Sequence, residues 1–353
     1  MPDTYDMVIF WAVVMARFLL PLAIPRYPLP GVVGSLILDT VDQTIFQLFT
    51  SLPLEGYQSY DKALDIYYLT ITYLSTMRNW TNGYAFEISR FLFYYRLAGV
   101  VLFELTQVRT LLLIFPNTFE YFFIFYEAVR LKWNPASLTK KQVLTATALI
   151  WILIKLPQEY WIHVAQLDTT DLIRAYPPFA LILVAWAALI VVSAFWILKG
   201  MPPARDGFAL AADPIPENLD QREAGVREKR FFDSALQEKI VFVSLLGIIF
   251  ASMLSGVRAT SLQIAIAAAV VIIVNTALSQ WLVRRGTKWN SLFREFVFMS
   301  VANLITVLVY FLLLSRYEGS INIINTLFFI LLLTLNVTLY DRYRRVHLQR
   351  QLM

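Results

Sequence analysis

Long apolar stretches alternate with short polar segments along the whole chain of 353 residues. Most of these stretches approach the roughly 20 residues with which an α-helix crosses the hydrocarbon core of a bilayer. The pattern predicts an all-α, polytopic helical membrane protein with about eleven transmembrane segments. The segments are residues 5–24, 31–50, 60–77, 88–115, 117–132, 143–163, 176–198, 238–256, 260–283, 292–314 and 321–340. Segments 31–50, 60–77 and 117–132 are the least apolar, and whether they cross the bilayer fully is left open.

The basic residues predict how these segments are oriented. With the N-terminus outside and every segment crossing, 22 of the 30 Lys and Arg residues lie in inside loops and 5 in outside loops. Lys and Arg are enriched in cytoplasmic loops of membrane proteins. We therefore expect the N-terminus outside and the C-terminus inside, in a multi-pass protein of the cell (plasma) membrane.

The chemistry of the loops predicts three consecutive parts. Residues 1–198 form a seven-helix transmembrane part lined by polar side chains. Residues 199–238 form a charged cytoplasmic linker that contains an amphipathic helix, and residues 239–353 form a four-helix transmembrane part with a basic C-terminal tail. Because acidic residues are scarce in the last part, a functional site is expected in the first.

Composition excludes several kinds of site. The chain has no cysteine and only two histidines, so disulfides, thiolate metal sites and a multi-histidine metal site within one chain are excluded. The net charge of +5 does not indicate a nucleic-acid partner, because the basic residues lie in loops between apolar segments. The expected partners are the lipid bilayer, a small solute, ion or lipid-linked ligand, and a further copy or another subunit of a membrane complex.

The segment with residues 148–171 carries the most polar transmembrane stripe. At about 100° per residue, Lys155, Glu159 and His163 lie on one side of the helix, beside Gln158. A charge at a helix centre in lipid costs at least about 2.5–3.5 kcal/mol, so this side should face protein or water. The stripe is either part of a functional polar site or an i,i+4 ion pair that holds helices together.

The second segment carries two aspartates on one face. Asp39 and Asp42 are three residues apart, and this spacing allows both carboxylates to bind Mg²⁺ or Mn²⁺. Phosphate-processing membrane enzymes usually add further acids at fixed spacing and nearby basic residues, and this chain does not repeat that pattern in a form that matches one of them. Asp61 and Asp65 form a similar stripe on the third segment.

Acids outnumber bases in the first seven segments. The acids there include Asp65, Glu104 and Glu120, whereas Arg17, Arg90, Arg96, Arg109 and Lys155 are the bases. One-to-one pairing is therefore impossible, and some carboxylates must be protonated, solvated or bound to a cation.

These features give three functional hypotheses. The first is a transporter or permease with a proton- or cation-coupled polar pathway through the first seven helices. The second is an integral-membrane enzyme that acts on a lipid-linked substrate, with Asp39 and Asp42 as ligands of a metal such as Mg²⁺. The third is a non-catalytic subunit of a membrane complex. An enzyme should bring its carboxylates within about 5 Å of one another, at one depth, beside a lipid-accessible cleft. A transporter should distribute them along a cavity, and a subunit should show paired charges and no cavity. The expected pathway residues are Asp39, Asp42, Asp65, Glu104, Glu120, Lys155, Glu159 and His163.

Overall fold

A computed structural model shows an all-helical protein. It describes residues 4–51, 58–165, 172, 175–204, 210–215, 234–253, 294, 296–305 and 323–351, and these contain no β-strand. The principal helices are α1 (Thr4–Leu19), α2 (Pro28–Phe49), α3 (Gln58–Asn79), α4 (Gly83–Thr106), α5 (Thr110–Ile114), α6 (Thr118–Lys132), α7 (Lys140–Leu149), α8 (Leu156–Glu159), α9 (Phe179–Leu198), α10 (Ser234–Met253), α11 (Phe296–Ile305) and α12 (Ile323–Gln351).

Three of these elements are long and apolar enough to cross a membrane. They are Thr4–Ala23, which is α1 with the short 3₁₀-helix that follows it, α2 and α9. Helix α9 exposes apolar side chains along its length, including Leu181 at 72% and Val192 at 65%. A helix that is apolar all round is typical of a lipid-facing or buried position. The expected eleven crossings and their orientation stay predictions.

The helices follow most of the predicted segments, with one clear difference. Predicted segment 88–115 is divided into α4 and α5 at Gln107, which has a φ of 58° and donates its backbone N–H to the carbonyl of Phe103. This left-handed residue ends α4, because an α-helix cannot continue through a positive φ. Segment 260–283 and most of the predicted linker helix lie outside the described residues.

The chain forms two compact units that interleave along the sequence. Unit 1 contains Met1–Pro25, Val33–Arg78 and Asp213–Met353, and unit 2 contains Arg26–Val32 and Asn79–Ala212. The three consecutive parts predicted from loop chemistry stay a prediction about topology.

Aromatic and polar contacts hold the first three helices of unit 1 together. The rings of Phe18 and Tyr67 stack with their centroids 5.3 Å apart, and the Tyr67 hydroxyl donates to the carbonyl of Phe18 at 3.1 Å. At the other end of α1, the Ser51 hydroxyl donates to the Asp6 carboxylate at 2.6 Å. Helices α1, α2 and α3 are therefore fixed close to one another.

The C-terminal helices of unit 1 are joined by paired polar groups. The Asn303 amide donates to the Thr334 hydroxyl at 2.9 Å, and both residues are buried. Lys239 pairs with Asp341 at 2.7 Å. Asn303 thus forms an interhelical hydrogen bond between α11 and α12, as asparagines in apolar helices often do.

Unit 2 is organised around Trp80. Its ring stacks on Tyr126 with centroids 3.8 Å apart, and its Nε1–H donates to the Glu127 carboxylate at 2.8 Å. Two residues later, the Asn82 side chain caps α4 by accepting the backbone N–H of Ala85. Trp80 therefore packs the chain just before α4 against α6.

Candidate functional site

The first candidate site is centred on Arg17, in the last turn of α1. Only 5% of its side chain is exposed, although the helix is one of the three that can cross a membrane. A buried arginine in such a helix needs acidic partners, because a lone charge is costly there.

Four aspartates surround the Arg17 guanidinium. Nη1 contacts Asp42 and Asp61, and Nη2 contacts Asp39 at 2.5 Å and Asp65. Two of these aspartates come from α2 and two from α3. We call these five residues the Arg17 cluster.

Helical spacing explains why the four carboxylates converge. Asp39 and Asp42 are three residues apart on α2, and Asp61 and Asp65 are four residues apart on α3. Side chains at these spacings share one face of a helix. The Tyr67–Phe18 contact next to the cluster then holds α3 against α1, so the face with Asp61 and Asp65 meets Arg17.

The Arg17 cluster has more negative than positive charge. With all groups ionised, four carboxylates and one guanidinium give a net charge of −3. Exposure differs among the carboxylates: Asp42 is 1% exposed and Asp61 18%, whereas Asp39 and Asp65 are 37% and 47% exposed. The cluster is therefore closed at Asp42 and open at Asp39 and Asp65.

Three of the carboxylates can reach one metal ion. Asp39, Asp61 and Asp65 each offer an oxygen, and these oxygens lie within 4.8 Å of one another. Oxygens on opposite sides of an octahedral Mg²⁺ are about 4.2 Å apart, since each Mg–O distance is about 2.1 Å. The 4.8 Å limit is close to that distance. A cavity of ≈ 10 Å³, about the size of one water molecule, lies beside Arg17 and Asp39.

The second candidate site lies in unit 2, where the helix begun by α7 changes its winding. Residues Ile150–Lys155 and Tyr160–Ala165 are π-helical, and α8 lies between them. Pro157 in α8 cannot donate an N–H to the carbonyl of Leu153. Instead, the Trp186 indole N–H of α9 donates to that carbonyl at 2.7 Å. π-Helical turns are often found at functional sites.

Lys155 and Glu159 are both buried, with 4% and 5% of their surface exposed. The Lys155 ammonium donates to the Gln158 side chain at 3.1 Å and lies 4.2 Å from the centre of the Tyr121 ring. It also interacts electrostatically with Glu120, Glu159 and Arg96.

Asn117 links the two glutamates at the start of α6. Its backbone N–H donates to Glu159 at 3.2 Å, and its side-chain amide donates to Glu120 at 2.9 Å. Lys155 and Arg96 balance the charge of the two glutamates when all four are ionised. We call Arg96, Glu120, Lys155 and Glu159 the Lys155 cluster.

The predicted pathway residues fall into two groups. Asp39, Asp42 and Asp65 belong to the Arg17 cluster in unit 1, and Glu120, Lys155 and Glu159 belong to the Lys155 cluster in unit 2. Glu104 on α4 is half-buried, and its Oε1 makes no hydrogen bond within the described part of the chain. The side chain of His163 lies outside the described residues. A single pathway through all eight residues stays a prediction.

Two residues of the Arg17 cluster were missing from the predicted site. The sequence places Arg17 among the bases of the first seven segments and Asp61 in a stripe with Asp65 on the third segment, and it assigns neither residue to a site. The cost of an arginine in an apolar helix was the available signal, because it requires several acids to lie near that residue. The acids were visible in the sequence, but the meeting of three helices was not.

No family model, no curated protein and no solved structure matches this chain. Its function is therefore inferred from the two clusters themselves.

Proposed function

We propose that the chain is an integral-membrane enzyme that uses a divalent cation, held by the Arg17 cluster, to act on a lipid-linked substrate that carries phosphate. The observation that supports this proposal is the convergence of four aspartates from two helices on one guanidinium. Three of the carboxylate oxygens lie within 4.8 Å of one another, and such convergence is what an enzyme with a metal site needs.

The charge of the cluster supports cation binding. Within the five residues of the cluster, one guanidinium contacts four carboxylates, which gives a net charge of −3 when all are ionised. Buried negative charges that lie this close repel one another unless protons or a cation compensate for them. Mg²⁺ and Mn²⁺ prefer carboxylate oxygens, so they suit the three aspartates that converge.

The residues next to the cation site favour a phosphate-bearing substrate. Mg²⁺ is usually bound by one or two carboxylates together with substrate phosphates. Arginine binds phosphate through paired N–H donors, and Arg17 lies among the carboxylates that would hold the metal. Helices α1 and α2, which carry Arg17 and Asp39, are long and apolar enough to cross a membrane, and this suits a lipid-linked substrate.

The proposal assigns different roles to the aspartates. Asp39, Asp61 and Asp65 hold the cation, whereas the buried Asp42 keeps Arg17 in place. This differs from the predicted metal pair, Asp39 and Asp42, because Asp42 is 1% exposed and is not in the converging set. The bound cation would supply charge stabilisation at the phosphate, and Arg17 would orient the phosphate oxygens.

Turnover of phosphate in proteoliposomes tests the enzyme hypothesis. The purified chain, reconstituted with a total membrane lipid extract that contains polyprenyl phosphates, should change the ³¹P NMR spectrum only when Mg²⁺ is present. The Asp61→Asn/Asp65→Asn variant should abolish that change, whereas Glu87→Gln, at an exposed ion pair, should not. An unchanged spectrum with every class of phospholipid and polyprenyl phosphate would contradict the enzyme hypothesis.

A proton- or cation-coupled transporter is the second candidate. The graded exposure of the four carboxylates, from 1% at Asp42 to 47% at Asp65, favours it, because a relay needs groups at both a closed and an open end. Uptake of Mn²⁺ or protons into the same proteoliposomes, without phosphate turnover, would select this function. The subunit hypothesis predicted fully paired charges, and the excess charge of the Arg17 cluster disfavours it.

A further inference from the structure

One end of unit 2 is a junction of several chain segments. The chain after α9 runs beside the end of α6: the Asn134 N–H donates to the Pro202 carbonyl and the Ala204 N–H to the Lys132 carbonyl, both at 3.1 Å. The Gln142 side chain of α7 donates to the carbonyl of Ile197 at 2.9 Å. The end of α6, the start of α7 and the end of α9 therefore lie together.

The start of α4 belongs to the same junction. The Asn82 side chain, which caps α4, also donates to the carbonyls of Pro135 and Leu138, at 3.2 and 2.9 Å. The junction is thus a fixed part of unit 2 that is held by hydrogen bonds from four helix ends.

The surface of this junction is basic. Lys132, Lys140, Lys141 and Lys199 are all exposed. Residues 128–142 and 197–204 contain no acidic residue. Within the described part of the chain, none of the four lysines forms an ion pair. We call these four residues the lysine surface.

Aromatic rings accompany two of the lysines. The Lys132 ammonium lies 5.3 Å from the centre of the Trp133 ring, and the Lys140 ammonium lies 5.5 Å from the centre of the Tyr84 ring. Tryptophan and tyrosine are enriched at the level of lipid headgroups, and lysine side chains extend there to keep the ammonium in contact with water and phosphate.

We infer that the lysine surface binds the anionic headgroups of the membrane in which α9 sits. Charge complementarity supports this inference. The four lysines are exposed and form no ion pair within the described part of the chain, and the cytoplasmic leaflet of a membrane is negatively charged. Their location supports it, because Lys199 directly follows the last residue of α9, which is long and apolar enough to cross the bilayer. The predicted orientation places residues 199–238 on the cytoplasmic side.

The preference of the protein for anionic lipid tests this inference. The full chain is reconstituted in vesicles of equal parts phosphatidylcholine and phosphatidylglycerol, and spin-labelled forms of each lipid report which one occupies the protein surface. The wild type should prefer phosphatidylglycerol, and the preference should vanish near 1 M NaCl, where the Debye length is about 3 Å. Replacing all four lysines by glutamine should lower it by at least about fivefold, the effect of one lysine at an anionic membrane surface.

Two controls separate charge from structure. The four Lys→Arg replacements keep the charge and should keep the preference, whereas Arg109→Gln removes an exposed cation elsewhere in unit 2 and should change it little. The inference is wrong if the glutamine variant keeps the wild-type preference or if Arg109→Gln has an equal effect. Inorganic phosphate that displaces labelled lipid better than NaCl of equal ionic strength would indicate a soluble-anion site and would also overturn it. If the glutamine variant does not fold, the salt dependence of the wild type decides. A preference for phosphatidylglycerol that does not change with salt would overturn the inference.

Discussion

The Arg17 cluster and the Lys155 cluster both place charged side chains inside the protein, but they differ in how many cations accompany the carboxylates. In the Lys155 cluster, two cations offset two glutamates, and Asn117 donates to both glutamates. In the Arg17 cluster, one cation faces four aspartates, two of which are partly exposed. A balanced, hydrogen-bonded cluster can hold helices together without a ligand, whereas an unbalanced and open cluster requires a further cation or protons. We therefore expect the functional site in the first helices of unit 1 and a structural role for the Lys155 cluster.

The largest effect is expected from Arg17→Met. Removing the only cation of its cluster leaves four carboxylates close together, so the free energy of unfolding should fall by at least about 3–5 kcal/mol. A millimolar concentration of Mg²⁺ should restore part of this stability, because the metal replaces the lost charge. Thermal unfolding in detergent with and without Mg²⁺ provides the measurement. An unchanged melting temperature would show that Arg17 does not compensate for the aspartates.

Lys155→Met should have a smaller effect, near the lower end of that range at about 3 kcal/mol, because Arg96 still offers a positive charge. The double variant Lys155→Met/Glu159→Gln should recover most of the lost stability, and with it activity, since neither charge is then left alone. A double-mutant cycle scored separately for melting temperature and for activity gives the measurement. A double variant that is stable but inactive would return Lys155 and Glu159 to the functional pathway predicted from the sequence.

Trp186→Phe tests whether the helix around Pro157 is held by the indole. The change removes the donor to the Leu153 carbonyl, which should cost about 1–2 kcal/mol of stability. Trp196→Phe on the same helix is the matched control, because Trp196 is 67% exposed and its replacement should stay within about 0.5 kcal/mol. Equal melting temperatures for the two variants would exclude a structural role for the indole N–H.

Glu87→Gln should have the smallest effect. Glu87 and Arg90 form an i,i+3 pair at 2.6 Å in which the side chains are 49% and 39% exposed. Such exposed pairs contribute about 0.2–1 kcal/mol, and salt weakens them. Chemical denaturation at low and high salt measures the difference. A fall of more than about 2 kcal/mol in the free energy of unfolding would mean that an exposed ion pair in this protein can be as strong as a buried one.

The sequence predicted the helices and their polar faces because both follow from periodicity within a single element. The sequence placed Asp39 and Asp42 on one face of a helix and Asp61 and Asp65 on one face of the next. In the structure, both faces contact Arg17. Periodicity does not state which faces of different helices meet. The role of Arg17 was therefore not predicted, although the excess of acids over bases indicated that some carboxylates are protonated, solvated or bound to a cation.

Local departures from regular helix were also beyond the pattern of apolar residues. The break at Gln107 depends on one positive φ at a residue that is common inside helices. The π-helical turns on either side of Pro157 alter the angular spacing that places polar residues on a face. A proline always lacks the backbone N–H, but its replacement here by Trp186, 33 residues away from Leu153 in sequence, required the packed structure.

The most direct test of the proposed function is to measure which of the two clusters binds a divalent cation. Electron paramagnetic resonance of Mn²⁺ titrated into the purified chain measures the free ion, and hence the bound ion. We predict saturable binding in the wild type that is lost in Asp61→Asn/Asp65→Asn and retained in Glu120→Gln/Glu159→Gln, with all three proteins shown to be folded by their melting curves. Retention of binding in the aspartate variant, or its loss in the glutamate variant, would contradict the assignment of the functional site to the Arg17 cluster.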